Sequence, residues 1–288
     1  MRLYTFELNE QRHLGVERDG ALVDLNDALA AAGIAADMLA FVQAGEAALT
    51  AAARAQTAAS TTHPFGAVRL LAPIPRPGKV LCSGVNYASH FEENPNATMP
   101  DEPFFFAKMP SVVIGPGQPI AHPKGTKQLD YEVEFAAVIG QTMHRAPPEQ
   151  VMGRLFGYTL LHDVSARDVQ FKDNQITLGK NFDGFAPIGP CIVTTDEIKD
   201  PGNVGLRTTL NGQVMQDGST RDWLFPLPEL ISFLSRVMTL EPGDVVSTGT
   251  PAGVGVFRKP PVFMKPGDVV AIEAEGIGRL ENPIAAED

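Results

Sequence analysis

The sequence predicts a mostly β protein with α+β elements, in which a small N-terminal α+β unit precedes a larger β-rich body. The chain has 27 glycines and 24 prolines among its 288 residues, and such frequent turns argue against a helical bundle. From residue 79 onward, short apolar or β-branched segments alternate with turn signals, as expected for strands. Alanine instead fills half of positions 28–59, which favours helices there.

The N-terminal α+β unit is predicted to span residues 1–70. Residues 1–25 alternate in the manner of short strands, and Asp19-Gly20 is a hairpin turn signal. Caps and stops are expected in the alanine-rich part, with Asn26 and Asp37 as N-caps and Gly33 and Gly45 as stops. The alternating prolines of 73–77 then fix an extended connector. The β-rich domain is therefore predicted over residues 75–288.

Four segments of the β-rich domain predict its elements. Strands are expected at 131–140 and 191–195, and a hairpin at 206–215 carries Asn-Gly at its tip. Residues 228–240 bear an apolar stripe at helical spacing, which predicts a helix. This body is therefore expected to be mostly β, with a few helices.

Composition excludes several classes of function. The formal net charge is −11, whereas a nucleic-acid binder needs a cationic surface. No apolar run approaches the roughly 20 residues of a membrane span, and the first residues lack the apolar region of a secretory signal. The two cysteines, Cys82 and Cys191, have no metal-type spacing. These features predict a reduced, cytoplasmic protein with no nucleic-acid or membrane partner.

A run of acidic residues on one predicted strand is the most informative feature. Asp130, Glu132 and Glu134 alternate with apolar residues, so they share one face of the strand. Carboxylates this close repel one another, and a hard divalent cation such as Mg²⁺ or Mn²⁺ would neutralise them. A solvent-facing acidic edge is the alternative interpretation. Asp163, at the end of a second predicted strand, adds a carboxylate and favours the metal site.

Two further positions predict catalytic chemistry. His90 and Glu93 are three residues apart, so on a helical turn they face each other. A carboxylate beside an imidazole raises its basicity, as a general base requires; a loop histidine with an incidental acid is the alternative. Lys180 lies between glycine and an apolar, proline-rich run, where it could stabilise a developing enolate. The hydroxyls and amides of 247–256 could receive a substrate carboxylate.

Taken in order, these segments resemble the fumarylacetoacetate hydrolase family from about residue 79 to 283. The resemblance rests on five motifs: Asn-Tyr at 86–87 with His90, DYEVE at 130–134, HDVSARDVQ at 162–170, GKNFD at 179–183, and LEPGD at 240–244 running into TGTPAGVG at 248–255. It implies a β-rich roll or barrel around a central site, one bound Mg²⁺ or Mn²⁺ per subunit, and a homodimer.

Carried over by position, the resemblance implies a role for each of ten residues. Three would bind the metal: Glu132, Glu134 and Asp163. Three would be catalytic: His90 as the base of a lid over 86–96, Glu93 as its support, and Lys180 as the electrophile. Four would contact the substrate: Tyr87, Arg167, Gln170 and Thr250. One departure is His162, where the family usually has Asn. The ligand beside it is nevertheless in place, so three carboxylates and waters are expected around the ion.

The function implied is metal-dependent hydrolysis of a carbon–carbon bond in a 2,4-dioxo acid, through an enolate. Two alternatives use the same site: decarboxylation of a β-keto acid such as oxaloacetate, and isomerisation or hydration of an unsaturated 2-oxo diacid. A third, of another class, is a non-catalytic protein with a structural cation. The distal pocket would select the small-molecule 2-oxo acid substrate, and four aromatic residues are candidates for its lining: Phe104, Phe105, Phe106 and Trp223.

Overall fold

The computed structural model describes residues 1–94, 100–172 and 175–287. Within these ranges the strands form three sheets, of twelve, five and two strands. The prediction of a mostly β protein with α+β elements is confirmed. No helix of the described ranges combines the length and the apolar character needed to cross a membrane.

The N-terminal part contains five strands and three helices within residues 1–71. They are β1 (Arg2–Leu8), β2 (Gln11–Arg18), β3 (Ala21–Asp24), α1 (Asn26–Ala31), α2 (Met38–Ala44), α3 (Glu46–Ala58), β4 (His63–Pro64) and β5 (Arg69–Leu71). Asp37 caps α2 as predicted, because its carboxylate accepts from the backbone of Leu39 and Ala40. Asn26 does not cap α1; it is the first helical residue and its side chain accepts from Leu14 N–H.

The β-rich part supplies the remaining described elements. Its strands are β6 (Val80–Ser83), β7 (Phe105–Lys108), β8 (Val113–Ile114), β9 (Ile120–His122), β10 (Leu129–Asp130), β11 (Val133–Ile139), β12 (Leu155–His162), β13 (Ser165–Ala166), β14 (Ala186–Thr194), β15 (Gly205–Leu210), β16 (Gln213–Ser219), β17 (Val245–Ser247), β18 (Val269–Ala274) and β19 (Gly278–Ala286). Its helices are α4 (Ala88–Glu93), α5 (Pro148–Val151), α6 (Arg167–Gln170), α7 (Thr177–Lys180) and α8 (Leu227–Val237).

The large sheet runs through both parts of the chain. Ten strands follow the order β4-β3-β2-β1-β14-β12-β11-β17-β6-β7, while β5 pairs with β1 and β8 pairs with β14. The five-stranded sheet has the order β16-β15-β18-β19-β9, and β10 pairs with β13. Since β1 pairs directly with β14, the N-terminal strands continue the sheet of the β-rich part. The division into domains at residues 70–75 stays a prediction.

A shared hydrophobic cluster crosses the same junction. Leu3 and Phe41 of the N-terminal part pack in one buried cluster with Val138, Phe156 and Ile192. Burying a side chain of this size contributes about 1.5–3 kcal/mol. The N-terminal part therefore supports β11, β12 and β14 from outside the site, and two of these strands end at the candidate site.

The predicted elements are confirmed within a few residues. The hairpin forms as β15 and β16, with positive φ angles of 52° at Asn211 and 80° at Gly212, as its Asn-Gly tip requires. Helix α8 occupies most of the predicted 228–240. Strand β11 begins at Val133, two residues later than predicted, because the chain leaves the ladder at 131–132. This break determines which acids face the site.

Candidate active site

Eight of the ten predicted site residues line one cavity. Its volume is about 170 Å³, and these eight are His90, Glu132, Glu134, Asp163, Arg167, Gln170, Lys180 and Thr250. Glu93 and Tyr87 are not among its lining residues. A larger groove of about 370 Å³ lies beside Arg207 and Arg279, but both residues are about half exposed and already ion-paired. The small cavity is the candidate site because five of its lining residues are buried and ionisable.

The three predicted metal ligands meet where two paired strands end. Glu134 lies on β11, and Glu132 is the residue directly before that strand. Asp163 directly follows β12. Val133 is paired with His162 across the two strands, and Asp163 N–H donates to the carbonyl of Glu132 at 3.0 Å. The register of β11 with β12, together with this hydrogen bond, thus brings all three carboxylates to one cavity.

Asp130 does not join these carboxylates, contrary to the expectation of a shared face. The break at 131–132 directs its side chain elsewhere, where it accepts from the backbone of Tyr131, Gly255 and Val256. Arg167 Nε donates to it as well, at 2.8 Å. Asp130 therefore fixes the loop at 253–256 and holds one edge of the Arg167 guanidinium.

Two cationic side chains pair with the carboxylates on the cavity wall. Lys180 Nζ donates to Glu132 at 2.8 Å and to Asp163 at 2.7 Å, and Arg167 Nη2 donates to the other oxygen of Glu132. Burial alone would raise the pKa of Glu132, but Arg167 and Lys180 outweigh it and hold this pKa below its ordinary value. Burial likewise opposes the charge of Lys180, yet Asp163 and Glu132 keep its pKa above the usual value.

A second lysine, Lys108, was missed by the sequence reasoning. It is buried, and its ammonium donates to the carbonyls of Val164, Lys180 and Phe185. Its Nζ also lies 2.7 Å from Asp163 Oδ1, although that oxygen accepts no hydrogen bond of good geometry within the described ranges. Burial lowers the pKa of Lys108, and Asp163 opposes this shift. Lys108 therefore holds a positive charge against Asp163 without lining the cavity itself.

Glu134 provides the test of whether a cation fits here. It is 1% exposed, and its one hydrogen bond within the described ranges comes from Ser247 Oγ, with no cationic partner. Burial raises its pKa well above the ordinary value, and the charges of Asp163 and Glu132 add to the shift. A buried carboxylate without a counter-charge, beside two others, is the donor set that Mg²⁺ or Mn²⁺ takes. The residues present therefore fit the implied metal.

His90 and Glu93 form the pair that their spacing predicts. Both lie on α4, with His90 Nδ1 2.6 Å from one oxygen of Glu93. The other oxygen of Glu93 accepts from Gly253 N–H at 2.8 Å, and Asp222 accepts from Ser89 N–H at 2.8 Å. These contacts fix the helix beside the cavity. Of the predicted lid, residues 95 and 96 lie outside the described residues.

The predicted substrate contacts divide into two groups. Gln170 accepts from Arg167 Nη1 at 3.1 Å, and Thr250 Oγ1 accepts from Gln216 Nε2 at 2.8 Å, which leaves the Thr250 hydroxyl proton for a ligand. Tyr87 instead is fully buried in the hydrophobic core, with its hydroxyl 3.5 Å from Thr248 Oγ1. The described geometry gives Tyr87 no access to the cavity, so it is better explained as a packing residue.

Two of the four candidate aromatic residues reach the cavity. Phe104 and Phe106 line it, and the Phe106 ring lies 5.0 Å from Lys180 Nζ. Phe105 stacks on Phe233, whereas Trp223 packs against Phe135. Among the described residues, Phe104 and Phe106 therefore supply the aromatic part of the cavity lining.

Comparison with known proteins determines the family. The model of the fumarylacetoacetate hydrolase C-terminal domain matches residues 79–285. The chain belongs to the fumarylacetoacetate hydrolase family. Mitochondrial oxaloacetate tautomerase Fahd2a of Rattus norvegicus is 43% identical over 289 residues, which cover 99% of this chain and 91% of that protein.

Two solved structures of the family share the whole fold. Fumarylacetoacetate hydrolase of Exiguobacterium antarcticum is 38% identical with a TM-score of 0.86. Maleylpyruvate hydrolase of Sphingobium, in complex with manganese(II) and pyruvate, is 29% identical with a TM-score of 0.84. Both comparisons cover 100% of each chain. The relatives compared are enzymes that act on small oxo acids.

One sequence-based expectation is contradicted by these relatives. A cytoplasmic location was expected, but the name of the rat enzyme places that relative in mitochondria. The expectation was wrong because it rested on the lack of an apolar secretory segment. That lack argues against secretion and does not distinguish between compartments inside the cell.

Proposed function

We propose that this protein interconverts the enol and keto forms of oxaloacetate or of a similar small 2-oxo diacid. One observation carries the proposal: an imidazole–carboxylate pair, His90 and Glu93, lies beside a small cavity that also presents Lys180 and Arg167. The similarity to a mitochondrial oxaloacetate tautomerase supports it. The tautomerase reaction is an isomerisation, and it replaces hydrolysis as the preferred interpretation.

The chemistry requires one proton to move between carbon 3 and the 2-oxo oxygen of the substrate. Glu93 holds His90 Nδ1 at 2.6 Å, which leaves Nε2 to take the proton from carbon 3. The electron pair released moves onto the 2-oxo oxygen as an enolate. The same imidazolium then returns the proton to that oxygen. A single base therefore completes the exchange and ends in its starting protonation state.

The negative charge that develops on the substrate needs stabilisation. Lys180 Nζ makes two hydrogen bonds within the described ranges, to Glu132 and Asp163, and its third N–H can meet an oxyanion. The Thr250 hydroxyl can donate to a substrate carboxylate. Mg²⁺ or Mn²⁺, held by Glu132, Glu134 and Asp163, would act as a Lewis acid toward the 2-oxo acid when bound.

The size of the cavity favours a short substrate. About 170 Å³ is below the roughly 300–1,000 Å³ of sites for drug-sized ligands. Phe104 and Phe106 close one side of it. A four-carbon diacid therefore suits the described cavity better than an extended aromatic-ring cleavage product does.

Hydrolysis of a carbon–carbon bond in an acylpyruvate is the second candidate. The observation that favours it is the structural similarity to a maleylpyruvate hydrolase with bound manganese and pyruvate. In that reaction His90 would activate water toward the distal carbonyl, while the same cations hold the enolate of the departing 2-oxo acid.

A substrate panel separates these functions. Purified protein with Mg²⁺, Mn²⁺ or EDTA is given enol-oxaloacetate, and loss of the enol ultraviolet absorbance is followed against the buffer rate. Pyruvate release from oxaloacetate reports decarboxylation, and pyruvate release from acylpyruvates reports hydrolysis. We expect metal-dependent enol loss that exceeds both other rates. No turnover of any substrate by metal-loaded protein would instead support a non-catalytic cation-binding protein.

His90→Ala is the decisive variant, and His144→Ala, remote from the cavity lining, is its matched control. Loss of general acid–base catalysis is expected to lower enol turnover by roughly 10²–10⁴-fold. Full turnover by His90→Ala would remove the imidazole from the mechanism.

We further propose a homodimer. Several apolar side chains near the cavity are largely exposed, including Phe171 at 63% and Leu178 at 66%, and such patches commonly mark association surfaces. Light scattering coupled to size-exclusion chromatography tests this, and a monomer across the concentration range would contradict it.

A further inference from the structure

A buried thiol lies directly behind the predicted metal ligands. Cys82 is on β6, opposite Ser247 of β17 and Phe106 of β7, and Ser247 is the residue that donates to Glu134. Cys82 is fully buried and is not among the residues that line the cavity. Its side chain therefore approaches the carboxylates of Glu134 and Asp163 from the protein interior and not from the cavity.

Cys82 belongs to a cluster of three potential metal ligands. Its Sγ and one oxygen each from Glu134 and Asp163 all lie within 4.8 Å of one another, and all three residues are buried. Around a tetrahedral zinc, a thiolate at about 2.3 Å and a carboxylate oxygen at about 2.1 Å lie about 3.6 Å apart. Because the ligand atoms lie within 4.8 Å of one another, an approach of at most about 1.2 Å brings sulfur and oxygen to that separation.

This inner set differs from the outer, family-type set by a single residue. Both use Glu134 and Asp163, but the inner set has Cys82 where the outer set has Glu132. Arg167 and Lys180 already hold the carboxylate of Glu132, so it has little freedom to turn toward the inner set. The two positions share two carboxylates and cannot both be filled.

We propose that Cys82, Glu134 and Asp163 form a second, inner position that takes thiophilic divalent cations such as Zn²⁺, Co²⁺ and Cd²⁺. Thiolate ligands select such borderline or soft ions, whereas the oxygen-only outer set suits Mg²⁺ and Mn²⁺. As the metal–sulfur bond forms, the S–H bond breaks and its proton leaves to the buffer, together with any proton held by Glu134.

Burial and the charges of Asp163 and Glu134 raise the pKa of the Cys82 thiol, and a divalent cation at the inner position supplies the positive charge that offsets them. Lys108 and Lys180 each approach one oxygen of Asp163 at 2.7 Å, and each carboxylate oxygen retains further lone pairs for a metal. Glu134 has no cationic partner within the described ranges and supplies the uncompensated negative charge. A thiophilic ion at the inner position should therefore displace Mn²⁺, because both ions require Glu134 and Asp163.

Cobalt spectroscopy tests the proposal without any substrate. The full chain is titrated with Co²⁺, and the expected result is a near-ultraviolet thiolate-to-cobalt charge-transfer band that is lost in Cys82→Ser. Cys191→Ser is the matched control: Cys191 is also buried, but its Sγ contacts the carbonyl of Ile277 instead. This control should keep the band.

The two positions are separated by opposite responses. Glu132→Gln should weaken Mn²⁺ binding, measured by electron paramagnetic resonance, and retain the cobalt–sulfur band. Cys82→Ser should retain Mn²⁺ binding and lose the cobalt–sulfur band. Zinc added to the Mn²⁺-loaded wild type should release free Mn²⁺ in proportion to the zinc bound.

A measurement on a protein that retains Cys82 does not depend on whether the Cys82→Ser variant folds. In Cys191→Ser, Cys82 is the remaining cysteine, so zinc-edge X-ray absorption should show one sulfur ligand at about 2.3 Å. An all-oxygen shell there, or a cobalt spectrum without the band, would overturn the proposal. Because these measurements use no substrate, the tautomerase assignment and the inner position can fail independently.

Discussion

Replacing Glu134 by Gln is predicted to stabilise the metal-free protein and to remove one ligand of the proposed metal site. Glu134 is a buried carboxylate whose pKa is raised, first by burial and then by Asp163 and Glu132. The folded state therefore binds its proton more tightly than the unfolded chain does. Above the unfolded pKa of about 4.3, the charged form opposes folding, and the opposition grows as the pH rises toward the folded value.

The magnitude follows from what the substitution removes. Glutamine keeps the shape and the Ser247 contact but carries no charge, so the gain is the desolvation cost of the polar group, about 1–3 kcal/mol. For a chain of this size that corresponds to a rise in Tm of roughly 2–5 °C. The gain should be present at pH 8 and vanish near pH 4.

Calorimetry in EDTA, at pH 4 and pH 8, measures the metal-free effect. Metal at 100 times its Kd should then add about 2.7 kcal/mol to the wild type and far less to Glu134→Gln. A lower Tm for Glu134→Gln at pH 8 in EDTA would refute the reasoning, because it would mean that the carboxylate is stabilising without a cation.

Glu132→Gln is the matched control, with the opposite sign. Glu132 is paired with Arg167 and Lys180, which hold its pKa below the ordinary value against burial. Its contribution to stability is therefore present above the unfolded pKa and lost as the pH falls through the folded one. Breaking this buried pairing should cost about 3–5 kcal/mol at pH 8.

Three further substitutions test the surroundings of the site. Asp222→Ala should loosen α4, which should raise amide exchange over 88–93 in hydrogen-exchange mass spectrometry and lower kcat. Asp222→Asn should leave the exchange rate and kcat unchanged. Lys108→Met should lower Tm and weaken metal binding in calorimetric titrations, because Asp163 loses its anchor. Gly84→Ala should raise KM in steady-state kinetics more than it changes Tm, since a Cβ there would displace the Phe104 ring.

The sequence could predict the part of the site that depends on short-range periodicity. The period of two along a strand pointed to Glu134 and to Glu132, which lies just before the strand begins, and the spacing of a helical turn predicted His90 with Glu93. Asp130 was placed with them wrongly, because a break in the ladder at 131–132 cannot be read from alternation.

Other parts of the site depend on contacts between distant segments. Lys108 lies 56 residues from the Val164 carbonyl that holds it, and Asp222 lies 133 residues from Ser89. Neither segment has a pattern that marks it. Tyr87 belongs to a family motif, but motif membership does not say which way the side chain points, and here it faces the core.

The balance of buried charge bears on how this acidic protein would bind the proposed acidic substrate. Four carboxylates lie in or directly behind the cavity (Asp130, Glu132, Glu134 and Asp163), against three cationic side chains, Lys108, Arg167 and Lys180. With all of them ionised, the cluster carries one net negative charge and repels a dianion. A divalent cation reverses that sign and leaves one positive charge. Substrate affinity should therefore depend on metal, and a dianionic 2-oxo acid that bound equally well in EDTA would contradict this electrostatic argument.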